Sequence, residues 1–206
     1  MADRAREPAG AAVRRPEITA AVLDAVVREL SEVGFGRLSV EGVARRAGVA
    51  KSAVYRRWNS KLEMVLELLS GMVSRRISLP DKGSLQADLT MVVDILSTVL
   101  EHPMAKNVLP DLLAEAARNP QIETTLHAAI QAAQRDVGDL LVSRAVDRGE
   151  LPGTVDRELL TDLIAGPLYW RISVMRSHVP PGYADQLSEA IRCAVQAASR
   201  TGLAPH

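Results

Sequence analysis

Aromatic side chains are scarce: one Phe, three Tyr and two Trp make up 3% of the 206 residues. Sheets draw on aromatic and β-branched residues, so a chain this poor in rings and rich in Ala and Leu points to helices. There is a single cysteine, Cys193, which excludes an intrachain disulfide and agrees with a reducing cytoplasm. Alone among small apolar residues, it reads as a buried side chain. Neither sign of charge is in excess, with 25 basic against 25 acidic residues, so global charge selects no partner. No apolar run approaches the roughly 20 residues that cross a bilayer. Met1 to Arg15 lacks the apolar segment of a secretory signal and reads as a mobile arm. The four histidines, His102, His127, His178 and His206, never fall at the i, i+3 or i, i+4 spacing of a helical metal site. There is no phosphate-binding loop, and Gly34-Phe35-Gly36 lacks the third glycine of a dinucleotide fingerprint. The expectation is therefore no metal, no cofactor and no enzyme.

What is present is helical periodicity. Pro16 suits the first position of a helix, and Ile18, Val22, Ala25, Val26, Leu30 and Val33 follow at helical spacing until Gly34 ends it. Ser39 is a good N-cap for a short helix with Val40, Val43, Ala44 and Ala47 inward, stopped at Gly48. A second short helix runs from Lys51 to Trp58, and Ser60 caps a longer one toward Ile77. Ser78 to Ser84 reads as a loop. Further helices are expected over 85–101, 104–118 (kinked or split at Pro110), 120–148, from Asp156 to about 177 with a weak point at Gly166-Pro167, and 183–199. No strand is expected.

The window from Arg37 to Lys61 carries seven cations (Arg37, Arg45, Arg46, Lys51, Arg56, Arg57, Lys61) against one acid, Glu41, a local net of +6 in a neutral chain. A basic head on a mildly acidic body is the electrostatic footprint of a nucleic-acid-binding module. Two short helices across a glycine turn, braced by a preceding helix, make a helix-turn-helix whose second helix enters the major groove. Its first residues, Lys51, Ser52 and Ala53, would face base edges, with Tyr55 one turn along. Arg56 and Arg57 suit phosphate, Lys61 sits at the next helix's N-terminus, and Arg45 is a weaker candidate beside Arg46. A solvated basic face is the plain alternative for the cations, and Tyr55 has a half-buried structural alternative. Arg4, Arg6, Arg14 and Arg15 of the arm could reach a minor groove, although simple disorder accounts for them as well.

The run Ala47-Gly48-Val49-Ala50-Lys51-Ser52-Ala53-Val54-Tyr55-Arg56-Arg57-Trp58-Asn59-Ser60-Lys61, behind one N-terminal helix, resembles the recognition segment of the TetR family of bacterial transcriptional regulators. Specific similarity covers about Pro16 to Leu69. The resemblance implies an all-α chain: residues 16–61 as the DNA-binding domain, 60–77 as a linker helix and 78–206 as a ligand-binding and dimerisation domain. It also implies that Tyr55 and Lys61 touch phosphate, that Trp58 is the aromatic core residue, and that the protein is a cytoplasmic homodimer on a palindromic operator, released by a small-molecule effector. Three positions depart from the family pattern: Ala50 cannot cap the recognition helix, Ala53 lacks a hydroxyl, and Gly42 lies inside the second helix. Candidate lining for a largely apolar effector is Met91, Met104, Leu112, Leu126, Tyr169, Trp170 and Met175, where ordinary core packing is the alternative. The apolar stripes Leu159, Leu160, Leu163, Ile164, Ile191, Ala194, Val195 and Ala198 would pair two subunits or pack on the chain's own core. A ligand-independent or architectural DNA-binding protein, and a small all-α enzyme with an anionic substrate, remain as other readings.

Overall fold

A computed structural model describes residues 16–73 and 79–200. The arm with Arg4, Arg6, Arg14 and Arg15, the end of the expected linker helix and the last six residues lie outside the described residues. There is no strand among those described. The helices are α1 (Pro16–Arg37), α2 (Val40–Ala47), α3 (Lys51–Tyr55), α4 (Lys61–Val73), α5 (Leu85–Glu101), α6 (Pro103–Ala116), α7 (Pro120–Asp147), α8 (Arg157–Tyr169) and α9 (Tyr183–Arg200). A single π-helical turn, Trp170–Val174, extends α8.

Caps explain most boundaries. Ser39, Ser84, Asn119 and Asp156 each accept an N–H from the first turn of the helix they precede, satisfying donors that have no helical partner. Ala50 offers α3 no such bond, as its methyl side chain requires. Helical geometry breaks at Gly34 (φ 75°, ψ 169°), where the sequence places the helix end, and one further turn carries α1 to Arg37. Three expectations differ in detail. Pro110 neither splits nor ends α6. α3 stops at Tyr55, three residues short of Trp58, and the chain turns from Arg56 onward. Cys193 is exposed on α9, because its position falls on the face opposite Ile191 and Val195.

Two cores form. The first joins Val22, Val26, Leu30, Val43, Val54, Trp58, Met64 and Val65 of the N-terminal helices to Leu112 and Ala116 of α6 and to Ile122 and Leu126 of α7. The N-terminal head is thus seated directly on α6 and α7. The second core gathers Leu85, Leu89, Leu141, Leu160, Leu168, Ile172, Ile191 and Val195 from α5, α7, α8 and α9. Burial of each such aliphatic side chain contributes about 1.5–3 kcal/mol before entropy is charged against it.

A charged cluster ties the loop before α5 to the end of α7. Asp88 is fully buried, and its carboxylate accepts from the Lys82 N–H at 2.8 Å and from Arg148 at 3.0 Å. Arg148 also pairs with Asp81 and Glu150, and Glu150 accepts the Leu85 N–H at 2.8 Å. The described part of the loop expected at 78–84 is therefore fastened to the end of α7, with Arg144 also donating to the Leu79 and Pro80 carbonyls.

Candidate nucleic-acid interface

The helix-turn-helix is built by α2, Gly48 and α3. Ser39 Oγ accepts the Gly42 N–H at 3.0 Å, and α2 ends at Gly48 in the left-handed conformation (φ 68°). Gly42, a departure from the family pattern, has a spatial reason: a Cβ there would lie 3.1 Å from both a Glu29 carboxylate oxygen and Ser39 Oγ. Glu29 is itself buried and pairs with Arg46 at 2.9 Å. The close approach of that carboxylate offsets the roughly 1 kcal/mol that glycine costs inside a helix.

Val54 and Trp58 are buried and anchor α3 from beneath, while Lys51, Ser52, Tyr55, Arg56 and Arg57 are exposed and Ala53 is half-buried. Lys51 Nζ sits 5.4 Å from the centre of the Tyr55 ring, a cation–π contact on the exposed surface. Behind α3, Trp58 Nε1 donates to Glu67 of α4 at 2.8 Å, and Arg57 pairs with the same carboxylate. The α4 start is fastened by Ser60 Oγ, which accepts the Glu63 N–H at 3.2 Å, and by Glu63, which accepts the Asn59 N–H at 2.8 Å.

Charge counting overstates the free cation number. Lys51 pairs with Glu41 across the turn. The hydrogen bond from Lys51 holds the Glu41 carboxyl below its ordinary range, and the same bond raises the Lys51 ammonium. Arg46 pairs with Glu29 and Glu32, and Arg57 with Glu67. Lys61 Nζ donates to the carbonyls of Phe35 and Gly36 at 2.8 and 3.0 Å and stands 4.7 Å from the Phe35 ring centre. It thereby closes the end of α1. Arg45 and Arg56 are exposed and make no ion pair among the described residues. Sequence reasoning missed Glu41 and Glu67 as partners. Glu41 was visible as the one acid in the basic window; Glu67 lies outside it and is brought in by α4.

The other candidate residues scatter. Leu112 and Leu126 belong to the first core. Met91 lines an open groove with Gln86, Thr90, Ile95 and Asp185 between α5 and the start of α9. A second open groove, between Asp94, Ser97, Glu101 and Pro180, continues it. Tyr169 is half-buried, while Trp170 and Met175 are exposed at 61% and 57%. The Met104 side chain lies outside what is described. Of the dimer candidates, Leu160, Ile164, Ile191 and Val195 pack inside the second core, because that period-3.6 stripe is used by the chain itself. Leu159 and Ala194 face outward, and Leu163 and Ala198 are half-buried. Trp170 lies on the same outer side of α8 as Leu159 and Leu163, three turns along. No helix among the described residues is long and apolar enough to cross a membrane, and no group of acidic, His or Cys side chains among them could hold a metal ion.

Comparison with known proteins agrees with this geometry. Residues 22–68 match the family model "Bacterial regulatory proteins, tetR family", and residues 79–191 match "Tetracyclin repressor-like, C-terminal domain". An HTH-type transcriptional regulator of Mycobacterium tuberculosis is 31% identical over 171 residues, covering 83% of this chain and 82% of its own length. The DNA-binding transcriptional repressor TetR of Mycobacteroides abscessus is 31% identical over 161 residues, covering 76% and 82%. The crystal structure of the TetR family transcription regulator SCO0332 superposes with a TM-score of 0.65 at 26% identity, covering 87% of this chain and 98% of that one.

Proposed function

The chain belongs to the TetR family of bacterial transcriptional regulators, and from that premise we propose that it represses its target genes as a homodimer on a two-fold symmetric operator, released by a small-molecule effector. The observation that carries the DNA half is the exposed face of α3, where Lys51, Ser52, Tyr55 and Arg56 project from a buried Val54–Trp58 anchor beside Arg45. A rigid helix with its cations outward is what major-groove docking needs. Lys51 can turn from Glu41 to guanine O6/N7 or to phosphate, because a solvent-exposed ion pair is held only weakly. Arg45 and Arg56 neutralise phosphate, releasing counterions. The outward apolar side of α8, with Leu159, Leu163 and Trp170, supports pairing with a second copy, which places two recognition helices on one DNA face. The repressor direction is supported by the Mycobacteroides abscessus relative.

A second reading, regulation without an effector, has one observation in its favour: the two concavities along α5 are open grooves, not enclosed chambers. Thermal-shift screening with apolar small molecules separates the two. A concentration-dependent rise in Tm together with loss of operator binding is expected for the effector-released repressor. Mobility-shift titration with DNA from upstream of the protein's own gene tests the DNA half. The expected result is a salt-sensitive complex of two protomers per site, weakened by Arg56→Ala. Absence of binding to that and neighbouring intergenic fragments overturns the proposal.

A further inference from the structure

We propose that Asp111 is the residue through which the body holds the DNA-binding head in register, and that the proline joint of α6 carries this grip from the end of α8. The inference rests on the DNA-binding reading above and deepens it.

Three observations meet on α6. First, α1 kinks at Gly34, whose φ of 75° and ψ of 169° take the Phe35 N–H out of the helical ladder. That N–H donates to the Asp111 carboxylate of α6, a charge-assisted bond between segments 76 residues apart. The carbonyl side of the same turn is held by Lys61, the first residue of α4, through the Phe35 and Gly36 oxygens. Thus an acid from the body and a base from the head's exit helix grip one turn of chain from opposite sides. Second, Asp111 follows Pro110 inside α6. Proline has no N–H, so the Lys106 carbonyl four residues back loses its ordinary helical donor. Arg176 Nη1 donates to that carbonyl at 3.2 Å. Third, Arg176 is the one non-glycine residue with positive φ (54°) among those described, just beyond the π turn Trp170–Val174. A left-handed arginine costs free energy and persists where its surroundings hold it. Here the holding contacts are the bond to Lys106 and the Ser177 N–H on the Arg171 carbonyl at 3.0 Å.

The sequence of contacts is continuous: π turn, Arg176, Pro110 of α6, Asp111, the α1 kink, then Lys61 at the start of α4. A change at the end of α8 alters where Asp111 stands, and with it the turn on which the helix-turn-helix is mounted. Asp111 is a positioning residue and touches no DNA.

Amide hydrogen exchange by NMR on the full-length protein tests this, alongside operator affinity by fluorescence anisotropy. Asp111→Ala speeds exchange of the Phe35 amide at least about tenfold and weakens operator binding by about tenfold. Asp111→Asn, which keeps an acceptor, falls between it and the wild type. Arg176→Ala speeds Phe35 exchange and weakens operator binding by a smaller factor, whereas Arg171→Ala, whose guanidinium stacks on Tyr183 at 4.5 Å, changes neither. Unaltered Phe35 exchange in Asp111→Ala overturns the role of Asp111. Should that variant fail to fold, Asp111→Asn indistinguishable from wild type overturns it instead. Unaltered exchange in Arg176→Ala overturns the link to α8. Failure of wild-type protein to bind operator DNA would refute the DNA reading while leaving the exchange results to judge the contact itself.

Discussion

Replacing Gly34 with alanine attacks the junction of head and body at one atom. The backbone there (φ 75°, ψ 169°) lies in a region that only glycine adopts without strain, at a cost to alanine of about 1–3 kcal/mol. The added Cβ would stand 3.1 Å from Asp111 Oδ2, pushing the carboxylate away from the Phe35 N–H. Loss of a hydrogen bond to a charged group adds about 1.5–3 kcal/mol if the donor is left without a partner. Water reaches this half-buried turn and recovers part of that, and alanine stiffens the unfolded chain by about 0.4–1 kcal/mol. The net expectation is destabilisation of the head by about 2–4 kcal/mol. Gly36, two residues on, is the control: it has no positive φ and a Cβ there meets nothing within 4 Å. Gly36→Ala should be neutral or stabilising by up to about 1 kcal/mol. Urea unfolding followed by tryptophan fluorescence resolves the head if Trp170 is first changed to Phe, leaving buried Trp58 as the reporter. A Gly34→Ala midpoint equal to the parent's, or an equal loss in Gly36→Ala, refutes the reasoning.

Arg148→Met leaves the fully buried Asp88 carboxylate with the Lys82 N–H and a more distant Arg144 at 3.8 Å; a loss of about 3 kcal/mol is expected, largely restored in Asp88→Asn/Arg148→Met, as a double-mutant cycle of denaturation midpoints would show. Glu41→Gln frees Lys51 and removes an anion beside the DNA, so operator affinity rises several-fold at low salt; unchanged affinity contradicts competition by Glu41. In the wild type the Lys51 bond lowers the Glu41 carboxyl, so the pair is fully present above the ordinary carboxylate range and is lost only as pH falls through the lowered value. An NMR titration of the Glu41 carboxyl midpoint, compared between wild type and Lys51→Met, checks the sign. Trp170→Arg places a charge on the outward side of α8 and should convert the proposed dimer to monomer in sedimentation velocity; a dimer of undiminished affinity moves the interface elsewhere.

Much of this architecture was legible because local chemistry decided it. Ser39, Gly48 and Asp156 mark helix ends by caps that need nothing from the rest of the chain, and the spacing of Val40, Val43 and Ala44 gives the inward face of α2 directly. What escaped was set by distant residues. Gly34 reads as a helix stop, and helical geometry does break there; what the local sequence does not show is that Asp111 of α6 takes the freed Phe35 N–H and Lys61 the Phe35 and Gly36 carbonyls. The basic window looks like seven free cations, but Glu29, Glu32 and Glu67 arrive from neighbouring helices to pair with two of them. The stripes on α8 and α9 carry the same period whether they face a partner or the chain's own core. Leu160 and Leu159 are adjacent in sequence and lie on opposite sides of that distinction. The weak point expected at Gly166-Pro167 does not interrupt α8; the irregularity follows it, as the π turn Trp170–Val174, which keeps Leu168, Ile172 and Ser173 all buried.

The claim that the exposed face of α3 grips duplex DNA is tested most directly by the salt dependence of operator binding. Anisotropy titrations from low to moderate salt should give a steep linear fall of log affinity with log salt for the wild type. Lys51→Ala/Arg56→Ala removes two cations per head, so the slope of a dimer should shallow by roughly 3–4, about 0.9 for each phosphate no longer neutralised. A wild-type slope near zero, or a double variant with the wild-type slope and affinity, would contradict the account.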